Sequence, residues 1–124
     1  MKLKSGNAYG AALAVSMDGL PLATSRSVLL QYATQSRPSG WQAEPGSIPL
    51  PSGKPAPGFK VAAHGRAPWQ VAAAQLRVTI NNPSLTRATV LDMNGMPAGE
   101  LPIERGPFGV TLAFPANAMY VVLR

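Results

Sequence analysis

The side chains able to move protons are few. There are five carboxylates (Asp18, Glu44, Asp92, Glu100 and Glu104), one histidine, His64, and no cysteine. Glycoside hydrolysis needs two carboxylates facing each other across the scissile bond. Asp18 and Asp92 each fall at or beside a turn, where Asp caps backbone amides. Glu100 and Glu104 flank Pro102 on a short strand, and Glu44 lies in a Pro-rich stretch. No two of them share an evident site. A Ser-His-Asp triad would have to use His64, and no Gly-x-Ser-x-Gly elbow accompanies it. His64, next to Gly65, reads as a loop residue. Zinc takes three or four ligands, so one histidine makes no zinc site, and nothing marks a calcium site. Gly53-Lys54 is followed by Pro55 rather than Ser or Thr, which excludes a phosphate loop. No catalytic residue, metal or cofactor is expected. The surviving catalytic alternative is a small stand-alone hydrolase. In it a long loop would gather Glu44, His64 and one of Asp18 or Asp92.

Aromatic rings are the better candidates for function. Trp41 and Trp69 lie in or beside turn-rich segments, and Tyr9, Tyr32 and Phe59 could join them. Exposed rings on a rigid scaffold stack on the apolar faces of sugars, while amides and guanidinium groups bond the hydroxyls. The candidate ligand-binding set is Trp41, Trp69, Gln42, Gln70 and Arg66. The competing reading is that both tryptophans close a small core, since each buries a large apolar area. Gly40 before Trp41, with Ile48 and Leu50 after it, favours a loop folded back on that core. Tyr32 and Tyr120, on alternating strands, read as core or core edge.

The elements that would position these residues are strands. In 124 residues there are 13 Pro and 12 Gly, which suits short strands joined by turns and not helices. Ala11 to Met17 is an apolar run ending at Asp18-Gly19, a hairpin signal. Ser27 to Gln35 alternates, with Val28, Leu30, Tyr32 and Thr34 on one side and Leu29, Gln31 and Ala33 on the other. Ala23 to Arg26 is a candidate bulge between these two. Gln75 to Ile80 turns Leu76, Val78 and Ile80 inward. Further strands are predicted at Phe59 to Ala63, Trp69 to Val71, Ala88 to Asp92, Leu101 to Glu104, Val110 to Phe114 and Met119 to Leu123. Arg37 to Gly58 holds six Pro and four Gly and reads as an ordered, meandering loop with extended pieces around Gly46 to Leu50. The prediction is one all-β domain over residues 1–124. It is a two-sheet antiparallel β-sandwich of about eight or nine short strands, with a long Pro/Gly-rich loop at 37–58. Met17-Asp18-Gly19-Leu20-Pro21 and Met93-Asn94-Gly95-Met96-Pro97 echo each other through shared turn chemistry.

Charge and composition narrow the partners. The net charge is +6, yet only 13% of residues are charged, about half the ~25% usual for soluble domains. Beyond Lys2 and Lys4 the cations stand singly, without the runs or stripes of a phosphate-tracking surface. Nucleic acid is therefore disfavoured. Low charge density leaves apolar surface, so a structural or protein-interaction module is a second reading. No stretch of about 18 apolar residues occurs, so no membrane span is expected. The opening residues Met1 to Asn7 lack the apolar region of a signal peptide. They suggest a domain cut from a longer protein, for which an extracellular or periplasmic setting is favoured.

Val15-Ser16-Met17-Asp18-Gly19-Leu20-Pro21-Leu22, then Ser25, Val28-Leu29-Leu30-Gln31 and Arg37-Pro38-Ser39-Gly40-Trp41, resemble C-terminal β-sandwich domains of bacterial glycoside-hydrolase-like proteins. Ala88 to Gly95, Val110 to Leu112 and Tyr120 to Leu123 are similar to the closing half of such domains. The resemblance covers most of the chain outside Gly46 to Val61 and rests mainly on hairpin and strand signals. In these proteins the catalytic residues belong to a separate barrel domain, so none transfers to this chain. The resemblance implies an accessory module whose partners are a polysaccharide or a catalytic domain in the same chain.

Overall fold

A computed structural model describes residues 1–124. The chain is all-β, with no helix. Its strands are β1 (Lys2–Ser5), β2 (Gly10–Ser16), β3 (Val28–Thr34), β4 (Ser36–Ser39), β5 (Gln42–Ile48), β6 (Ala56–Ala63), β7 (Arg66–Val71), β8 (Leu76–Ile80), β9 (Ala88–Leu91), β10 (Pro97–Leu101), β11 (Glu104–Gly106), β12 (Gly109–Phe114) and β13 (Tyr120–Leu123). Thirteen strands replace the eight or nine predicted. Nine of them fall in one compact unit, residues 1–34 with 73–124, and four in a second, residues 35–72.

The first unit holds two antiparallel sheets, ordered β1-β8-β12-β11 and β10-β9-β13-β3-β2. One core takes side chains from both. Val28, Leu30 and Tyr32 on β3 and Val121 and Leu123 on β13 meet Leu76, Val78 and Ile80 on β8 and Val110, Leu112 and Phe114 on β12. The predicted alternation explains this directly: residues two apart share a face. Tyr32 is core, its ring edge-on to Phe114 at 5.8 Å between centroids. Its hydroxyl donates to Asn7 Oδ1 at 3.1 Å and lies 2.9 Å from Ser5 Oγ.

β2 and β3 pair as expected, but through eleven residues rather than a tight Asp-Gly turn. Asp18 organises that connection. Its Oδ1 accepts from the Ser16 hydroxyl at 2.7 Å, the Ser25 hydroxyl at 2.8 Å and the Leu20 amide at 3.2 Å; its Oδ2 accepts from the Arg26 amide at 2.7 Å. Ala23 to Arg26 is therefore part of a turn network and not a bulge. The echo at Asp92 works alike: its Oδ1 accepts from the amides of Asn94 and Met96. Gly19 and Gly95 both take positive φ, 74° and 80°, a region that glycine enters without steric cost.

The second unit is two antiparallel ladders, β4 with β7 and β5 with β6. The segment 37–58, predicted as a loop, is thus mostly strand. Prolines broke the sequence pattern but not the ladders. In a two-stranded ladder each strand is an edge, and an edge strand accommodates residues with no N–H to donate. No residue of 35–72 is buried.

Candidate functional site

The candidate residues separate by strand alternation. In the β4–β7 ladder Arg37 stands opposite Gln70, Pro38 opposite Trp69 and Ser39 opposite Arg66. Cross-strand partners share a face and neighbours along a strand do not. Arg37 and Gln70 therefore share one face, and Pro38, Trp69 and Val71 the other; past a register shift between Pro38 and Ser39, the Ser39–Arg66 pair falls, by the β4 alternation, on the Arg37 face. Trp69 and Gln70, paired in the sequence reading, point opposite ways. Arg66 and Gln70 do come together, with Arg37 added, a residue the composition argument did not single out. Applying the two-residue period to Trp69-Gln70 would have revealed the split.

Trp41 follows β4 at a turn closed by its own amide, which donates to the Pro38 carbonyl at 3.1 Å. It is half-buried, and it does not lie in the hydrophobic core, whose residues all fall outside 35–72. The Arg37 guanidinium carbon sits 5.7 Å from the ring centroid, a cation–π arrangement. His64 meets the ring edge-on at 6.1 Å. The indole Nε1 is shielded from solvent and has no hydrogen-bond partner. Gly40 and Gly65 turn the chain on either side with φ of 78° and 69°. A Cβ on Gly65 would lie 2.5 Å from the Ser39 carbonyl oxygen, so this close approach requires glycine. Gln42 begins β5 opposite Ala63 and is exposed.

Trp69 is 65% exposed and Phe59, opposite Pro45 on the β5–β6 ladder, is 72% exposed. Ala43, Pro45, Val61 and Phe59 form one apolar face of that ladder. On its other face Ile48 lies over Gly58, where a Cβ would come within 2.3 Å of Ile48 Cδ1. Tyr9 is exposed in the first unit.

The carboxylates are mostly engaged. Asp18 and Asp92 cap turns, Glu100 pairs with Arg87, and Glu104 pairs with Arg77. Hydrogen bonds from the Ser16 hydroxyl above all, then from the Arg26 amide, hold Asp18 far below the usual carboxylate range. Glu100 is lowered first by its hydrogen bonds from Arg87. Glu44 stands opposite Lys60. No group of three or more His, Asp and Glu residues is gathered for a metal ion.

The first unit carries a further surface that the sequence reading did not assemble. Two rows cross all five strands on the side of the larger sheet away from the core. One runs Val15, Leu29, Val122, Thr89, Glu100; the other runs Leu13, Gln31, Tyr120, Leu91, Pro97. Leu13 and Val15 are 52% and 41% exposed. The corresponding side of the smaller sheet carries Lys2, Lys4, Arg77, Thr79, Thr111 and Glu104.

No protein-family profile, curated protein or solved structure matches the chain.

Proposed function

We propose that the chain is a non-catalytic accessory domain of a carbohydrate-active enzyme. In this reading the two sheets of the first unit face each other as an antiparallel β-sandwich. The domain packs on a catalytic domain of the same exported protein, or binds glycan through exposed aromatic rings. The observation that carries the reading is the contrast between the two outward sheet faces. The outward face of the smaller sheet carries mostly charged residues and threonines, whereas the larger sheet presents Leu13, Val15, Leu29, Leu91 and Tyr120, with Gln31 and Thr89 among them and Glu100 at the margin. An apolar-rich outward face of that kind, with Leu13 and Val15 open to solvent, is the sort of surface that marks a partner site. Trp69 supplies the second working surface, a ring open to solvent on a strand. The sequence likeness to accessory sandwich domains supplies the carbohydrate connection.

Affinity electrophoresis of the full chain against soluble polysaccharides tests the binding half. The expected result is retardation by at least one glycan, relieved in Trp69→Ala. Glycosidase turnover that disappears in His64→Ala would replace this reading by the hydrolase.

The same apolar face also favours a general protein-interaction module. Light scattering separates the two: a chain that associates only with other proteins, and never with glycan, fits the module.

A further inference from the structure

The charge of the second unit stands apart from its size. Residues 35–72 carry Arg37, Lys54, Lys60 and Arg66 against Glu44 alone, a net charge of +3. Both ion pairs of the molecule, Arg77–Glu104 and Arg87–Glu100, lie in the first unit. No cation of 35–72 forms an ion pair, although Lys60 stands opposite Glu44, and none of the unit's residues is buried. A two-stranded ladder alone in water is marginal, so this unit gains most from a bound partner. A second copy of the chain is a poor one, because both units of that copy are also positive.

From this we propose that the Arg37–Gln70–Arg66 face of the β4–β7 ladder binds a carboxylate-bearing polysaccharide. The proposal rests on the accessory-domain reading and names its ligand class. Guanidinium groups present a planar fork that matches a carboxylate through two parallel N–H···O bonds. Arg37 is held in place by its contact with Trp41. Arg66 stands opposite Ser39, two residues along β4 from Arg37 and past the register shift at Pro38/Ser39, about 7 Å along that strand. Gln70, opposite Arg37, supplies an amide for ring hydroxyls. Single, spaced cations fit a chain bearing one charge per sugar better than the denser phosphates of a nucleic acid.

Calorimetry of the full chain with polygalacturonate, in calcium-free buffer, tests this. Fully methyl-esterified polygalacturonate and a single-stranded oligonucleotide serve as comparison ligands. The expected result is binding to the acid form that weakens with salt and at least tenfold weaker binding to the ester. Arg66→Gln, at an exposed position, is expected to lower affinity roughly tenfold, the loss of one charged hydrogen-bonded contact. Lys2→Gln with Lys4→Gln, a larger charge change made in the first unit, is expected to leave affinity within twofold. Equal binding of acid and ester would overturn the proposal while leaving the accessory-domain reading intact. Binding of the oligonucleotide as tightly as polygalacturonate, or equal losses in the Arg66 and Lys2/Lys4 variants, would overturn it as non-specific charge attraction. No binding to polygalacturonate would also overturn it; the neutral-glycan panel then decides the accessory-domain reading separately.

Discussion

Asn82 donates both hydrogens of its side-chain amide to the β2–β3 connection, to the Ser25 carbonyl at 2.7 Å and the Leu22 carbonyl at 2.8 Å. Its Oδ1 accepts the Ser84 amide at 3.0 Å. One fully buried side chain therefore fastens two segments 57 and 60 residues apart in sequence. Asn82→Ala leaves buried carbonyls without donors, a loss of about 2–4 kcal/mol. Urea unfolding of the full chain should show a lower midpoint with an unchanged slope.

Asp18 makes the same connection sensitive to acid. Its folded-state pKa lies below its unfolded value, so its stabilising contribution is fully present above the ordinary carboxylate range. That contribution declines as pH falls toward the folded pKa. Asp18→Asn should flatten the acid side of the melting-temperature profile below about pH 4. A variant profile parallel to the wild type there would show that Asp18 does not set the acid limb.

The two tryptophans should behave oppositely. Trp69→Ala removes an exposed ring, and stability should change by no more than about 0.5 kcal/mol. Trp41→Ala removes the surface on which Arg37 and His64 rest. Amides of β5 and β6 should then exchange faster with solvent, while those of β3, β8, β12 and β13 keep their protection. Hydrogen exchange read by mass spectrometry distinguishes the two variants.

Leu13 tests the apolar sheet face. Unpartnered, that face should drive weak self-association or dye binding as concentration rises. Leu13→Lys should lower both while shifting stability by about 0.5 kcal/mol or less. Light scattering with a fluorescent apolar probe provides the readout.

The strands that build the core were legible because their periodicity is strong. Val28 to Tyr32, Leu76 to Ile80 and Val110 to Phe114 alternate cleanly, and one face of each is buried. β1, β10 and β11 were missed or misplaced. Lys2–Ser5 is exposed throughout, and Pro97–Leu101 carries Pro and Gly with a register shift. Such strands are defined by the neighbour they pair with, which sequence does not display. In 35–72 the sequence shows parts of β6 and β7, at Phe59 to Ala63 and Trp69 to Val71, but β4 and β5 are hidden by the rule that Pro interrupts strands, which weakens when both strands are edges. At the candidate site the residue types were visible, but not their faces. Arg37 gained its place only through the register that sets it opposite Gln70.

The amide of Ala72 donates to the carbonyl of Gln35 at 2.9 Å. The two ends of the 38-residue excursion therefore lie side by side, and every buried apolar side chain falls outside it. This makes the segment a cassette. Its excision, with Thr34 joined to Ala73 by a few flexible residues, should leave a chain that still folds. Transplanted between adjacent strand ends of another host, the same segment should carry its ligand preference with it. The buried core and the two ladders of 35–72 are thereby encoded by separable stretches of the chain.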